Sequence, residues 1–90
     1  MARPKGDQAA DAARRFGINV LECRGRAGFS QQKTADRAGI HRTEVSLIEG
    51  GKRVPRLDTI VKLAGAVGVE PCELLRGIVW ELSPAKEEAK

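Results

Sequence analysis

Ala35, Gly39, Val45 and Ile48 stand four, six and three residues apart in QQKTADRAGIHRTEVSLIE, residues 31 to 49. That spacing limits the fold more than any other feature of the chain. Two helices joined by so tight a glycine turn have to pack at a steep angle. Ala35 is small where they would cross, and a larger side chain would push them apart. Gly39 can take the left-handed conformation at a helix end without steric penalty. Val45 and Ile48, three apart, turn one side of the following helix inward, while Ala38 and Ile40 close the corner.

The remaining sequence breaks into short amphipathic segments. Phe16, Val20, Cys23 and Ala27 give the four-three-four spacing of one buried stripe. The first helix is therefore expected from about residue 7 to residue 24 or slightly beyond, ended by Gly25 and Gly28. Ser30 offers an N-cap for the second helix, with Lys33 where a capping box would want Glu. The third helix is expected over residues 41 to 49, stopped by Gly50 and Gly51. Pro55 opens a fourth segment, in which Leu57, Ile60, Val61, Leu63, Ala64 and Val67 recur at helical spacing up to Gly68. Pro71 stands at the first-turn position of a fifth helix, which Gly77 ends. IVWEL, residues 78 to 82, is β-branched and aromatic and reads as a strand or an extended arm. The expected architecture is all-α. Residues 1–8 form a flexible tail, 9–77 a five-helix domain, and 78–90 an extension ending in a loose tail.

A chain of 90 residues is one small domain. With no Tyr, two Phe and one Trp, its core has to be aliphatic. The net charge of +4 is unevenly spread. Residues 24 to 53 hold seven basic and three acidic side chains, whereas residues 54 to 82 hold three and four. A positive field concentrated on one third of a chain suits a polyanion, of which nucleic acid is the commonest.

Other classes of function find less support. No apolar stretch is long enough to cross a bilayer. The N-terminal MARPKGDQAADAARR lacks the apolar middle of a secretory signal, so a cytoplasmic location is expected. Cys23 and Cys72 are isolated, and both are expected as small core hydrophobes. His41 is the only histidine, so neither a metal site nor a nucleophile with its base can be assembled around it. With no glycine-rich phosphate loop, HExxH or GxSxG motif, no enzyme, cofactor or small-molecule ligand is expected.

The third helix poses its own question. At about 100° per residue, Val45 and Ile48 set the inward direction and leave Thr43, Ser46 and Leu47 opposite, with Arg42 and Glu44 on the flanks. A helix of barely two turns gains little stability alone. Its polar outward face makes sense if it meets a partner.

The stretch FSQQKTADRAGIHRTEVSLIEGGKRVPRLDTIVKLAGAVGVEPCELL, residues 29 to 75, resembles the helix-turn-helix domain of lambda-repressor/Cro type, the Xre family. It follows the pattern S-Q-x-x-L-A-x-x-x-G-V-S-x-x-x-I-S-x-I-E-x-G, except that Thr34 replaces the usual Leu and His41 the usual Ser or Thr. The resemblance implies that the third helix enters the major groove of double-stranded DNA. Arg42, Thr43, Ser46 and Leu47 would then read bases. It implies phosphate contacts for Gln31, Lys52 and Arg53, with Arg37 and His41 as further candidates. Arg24 matches the position that pairs with Glu49, implying a structural salt bridge.

Ile78, Val79, Trp80 and Leu82 are too apolar to lie bare, and a homodimer contact there is expected slightly ahead of packing on the domain's own first and fifth helices. The combined reading is a sequence-specific DNA-binding transcriptional regulator, a repressor acting as a homodimer on a palindromic operator. Two rivals remain open at this point. One is an antitoxin or similar module whose partner is protein, and the other is an architectural DNA binder without sequence preference.

Overall fold

The computed structural model describes residues 3, 4 and 6–83. Five helices follow in order: α1 (Gln8–Ala27), α2 (Gln31–Ala38), α3 (Arg42–Glu49), α4 (Leu57–Val67) and α5 (Pro71–Leu74). Two strands of two residues each, β1 (Arg3–Pro4) and β2 (Leu82–Ser83), pair antiparallel with Arg3 opposite Ser83 and Pro4 opposite Leu82. The fold is thus helical, with one short ribbon joining its two ends.

The caps explain where the helices begin and stop. Asp7 accepts from the Ala10 amide at the start of α1, and Ser30 accepts from the Lys33 amide at the start of α2. Gly39 ends α2 at φ 73°, and the amides of Gly39 and Ile40 both return to the Ala35 carbonyl at 2.8 and 3.0 Å. The chain thereby reverses within three residues and starts α3 against the α2 it has just left.

Phe16, Val20 and Cys23 of α1 meet Ala35 and Ala38 of α2, Val45 and Ile48 of α3, Leu63, Ala64, Ala66 and Val67 of α4, and Leu74 of α5. This core is aliphatic apart from Phe16. Thr34, standing where the family pattern has Leu, is fully buried, and its hydroxyl oxygen has no hydrogen-bond partner among the described residues. The Asn19 side chain links α1 to α5. Its amide donates to the carbonyls of Leu74 and Arg76, both at 2.9 Å, which satisfies the frayed end of that single-turn helix.

Several sequence expectations are corrected. Gly25 lies inside α1, and Gly28 is its cap. The fifth helix stops at Leu74, and a turn carries the chain on to Gly77. Leu57 and Val61 do not join the core but face solvent, because the buried side of α4 is set by Leu63, Ala64, Ala66 and Val67. Cys72 is exposed; only Cys23 is the small core residue expected. Of the tail expected over residues 1–8, residues 3 and 4 pair with the C-terminal extension, Asp7 caps α1 and Gln8 opens it; residues 1, 2 and 5 lie outside the described residues. The loose C-terminal tail expected beyond Ser83 lies outside the described residues.

Candidate nucleic-acid interface

α3 is held from behind by three devices. Val45 and Ile48 are fully buried, which fixes the roll of the helix. Gly17 of α1 lies directly under its end, where a Cβ would overlap the carbonyl oxygens of Ile48 and Glu49. Gly51, at φ 71°, then carries the chain closely across Arg14. With backbone against backbone at Gly17, no flexible side chain separates α1 from α3, and the height of α3 above the core is set rigidly.

The third device is polar. Arg24 donates through Nε and Nη2 to the two carboxylate oxygens of Glu49 at 2.6 and 2.9 Å, and through Nη1 to the Phe29 carbonyl at 3.0 Å. Gln31 adds a bond to Glu49 Oε1 at 2.9 Å. The hydrogen bond that Arg24 donates to the Glu49 carboxylate holds the Arg24 pKa above its ordinary value, against the opposing effect of burial. Glu49 stands at the C-terminal end of α3, where the helix dipole is negative, and these donors offset that repulsion. One carboxylate thus joins the end of α1, the start of α2 and the end of α3.

The outward side is open. Arg42, Thr43 and Ser46 are exposed, and Arg42 has no ion pair among the described residues. Leu47 is half-buried and lines a groove of about 720 Å³ between α3 and the start of α4, together with Thr43, Glu44 and Arg53. His41 is the exposed N-cap residue of α3, and its side chain makes no capping bond.

The expected phosphate contacts divide. Lys52 and Arg53 are exposed just past α3, and Arg53 lies 3.6 Å from Glu44. Gln31 spends one amide hydrogen on Glu49 and keeps the other free. Arg37 is occupied elsewhere: its Nε donates to the Ala66 carbonyl at 2.7 Å, and its guanidinium stacks 4.8 Å from the Phe29 ring centre. The last turn of α4 leaves carbonyls in need of donors, and Arg37 supplies one, so it belongs to the packing of α2 on α4.

Sequence reasoning missed Arg56 and Lys62, which line the same groove as α3. Both lie beside Asp58, at 3.1 and 3.5 Å. Only the composition of RVPRLDTIVK hinted at them. Gly17 was also missed, although a lone glycine within a helical apolar stripe signals a close backbone approach.

Beyond α5, Ile78 packs against the core, while Val79, Trp80 and Leu82 are exposed. The Gln8 side chain pairs with the Glu81 backbone like a short strand, donating to the carbonyl at 2.7 Å and accepting from the amide at 2.6 Å. The four apolar residues expected to act together are therefore split between core and surface. Among the described residues, no helix is long and apolar enough to cross a membrane.

A steep two-helix corner with an anchored, outward-facing second helix defines the helix-turn-helix class. The helix-turn-helix (HTH_3) family model matches residues 20–74. Among curated proteins, the chain is 43% identical over 61 residues to control protein C.BamHI of Bacillus amyloliquefaciens, covering 67% of this chain and 75% of that one. It is 42% identical over 62 residues to the prophage-derived HTH-type transcriptional regulator YonR of Bacillus subtilis, covering 69% of this chain and only 57% of that one. Among solved structures, it is similar to the restriction-modification controller protein C.AhdI of Aeromonas hydrophila, with 39% identity and a TM-score of 0.67 over 69% of this chain and 94% of the other. The chain belongs to the HTH_3 family of helix-turn-helix regulators, of lambda-repressor type.

Proposed function

We propose that the protein binds a short palindromic operator in double-stranded DNA as a homodimer, in the cytoplasm, and represses transcription there. The single observation that carries this reading is α3: a two-turn helix fixed from behind by Val45, Ile48 and Gly17, whose outward residues are free to meet a ligand. A helix of that diameter fits the major groove. Arg42 is placed to bond O6 and N7 of a guanine, worth about 1–3 kcal/mol of discrimination. Thr43 and Ser46 offer hydroxyls, and Leu47 an apolar contact for a thymine methyl. Lys52, Arg53 and Arg56 neutralise phosphates, and Gln31 and His41 offer hydrogen bonds to them. The names of the two controller proteins support a regulatory role. Binding alone is enough to block polymerase, which favours repression.

Selection of bound duplexes from a random DNA pool tests this directly. The expected product is an inverted repeat whose half-sites lie about 34 Å apart along the duplex. Recovery of unrelated sequences at the starting frequency would leave only non-specific binding.

A further inference from the structure

α4 presents to solvent a strip that its own domain does not use. Leu57, Val61 and Gly65, spaced four apart, lie on one side of the helix; Leu57 is 77% exposed and Val61 52%. Gly65 is the odd member. A glycine inside a helix destabilises it relative to alanine, and here nothing among the described residues requires one. Its φ is negative, and a Cβ built on it meets nothing within 4 Å. The strip is therefore smooth at one end and bulky at the other.

We propose that this strip is the two-fold interface, with α4 of a second copy of this chain packed antiparallel across Val61. The inference rests on the homodimer reading above and assigns it a surface. In a two-fold contact, residue i meets residue j and j meets i. With the axis at Val61, Leu57 of each copy fills the space above the bare Gly65 of the other, and the two Val61 side chains meet at the centre. A two-fold axis lying between the helices also keeps the flanks of the strip on the same side. Asp58 and Lys62, 3.5 Å apart within the chain, occupy one flank, so each such pair comes beside the partner's, with opposite charges facing. Size and charge are thus both self-complementary. That flank borders the groove beside α3, which puts both copies of α3 on the side toward which the axis points. The interface and the DNA-facing surface are then parts of one geometry.

The rival surfaces are the exposed Val79, Trp80 and Leu82 near β2 and the exposed Ile18 and Leu21 of α1. Sedimentation of the full chain distinguishes them. Gly65→Met puts a side chain into open space in the monomer and into Leu57 of the mate in the dimer. It is expected to leave helicity and melting temperature of the monomer unchanged or raised, while weakening self-association at least a hundredfold. Leu57→Lys is expected to do the same, whereas Trp80→Ala and Leu21→Lys are expected to leave the dimer intact. If Gly65→Met dimerises like the wild type while Trp80→Ala or Leu21→Lys yields a monomer, the α4 seam is wrong and the homodimer stands. If the wild type itself stays monomeric, both free and on operator DNA, the homodimer reading fails along with it.

Discussion

Glu49 is the most consequential carboxylate among the described residues, because it ends the helix proposed to face DNA and yet is itself almost wholly enclosed, its side chain 6% exposed. Its charge is tolerable only while Arg24 and Gln31 hold it. Removing one partner of such a pair leaves the other buried and unpaired, so Arg24→Ala is expected to lower unfolding free energy by about 3 kcal/mol in urea titrations. Adding Glu49→Gln to that variant is expected to recover part of the loss. The alternative, equal losses that simply add, would mean the two side chains act independently. Gly17 works by having no side chain. Gly17→Ala drives a methyl into the carbonyls of Ile48 and Glu49. It should cost about 1–3 kcal/mol of stability and, by displacing α3, weaken operator binding even at temperatures where the variant is fully folded. The ion pair was legible in the sequence through the family position of Arg24 and Glu49. Gly17 was not, since its role exists only where two backbones meet.

Helix spacing showed which elements form but not everything they bury. Val45 and Ile48 were readable because α3 offers only those two inward apolar positions. In α4 seven apolar residues recur, so periodicity alone could not say that Leu57 and Val61 lie outside the buried stripe. The same limit applies to the basic residues. Spacing placed Lys52 and Arg53 beside α3, but it could not show Arg37 reaching back to Ala66 or Arg56 facing the groove. The division of labour between α3 and the segment after it is open to measurement. Arg42→Ala is expected to relax preference at one base pair of the selected site. Lys52→Ala is expected to weaken all sequences about equally and to reduce the slope of log affinity against log salt by about 1. An unchanged preferred sequence in Arg42→Ala would remove that residue from base readout.

Taken together, the parts sort into a scaffold and a face. α1, α2 and α4 supply most of the buried side chains, and the ribbon of β1 and β2 with the Gln8 clamp ties the two ends to α1. α3, the loop that follows it and the start of α4 supply the exposed basic and hydroxyl groups. Sequence-specific binding by this protein requires α3 to lie in the major groove. Dimethyl sulfate tests this on the operator itself, because it methylates guanine N7 in the major groove and adenine N3 in the minor groove. Bound protein is expected to shield guanine N7 in each half-site, Arg42→Ala to restore reactivity at one of those guanines, and adenine N3 to stay reactive beneath α3. Shielding confined to adenine N3, with every guanine N7 still open, would contradict that placement of α3.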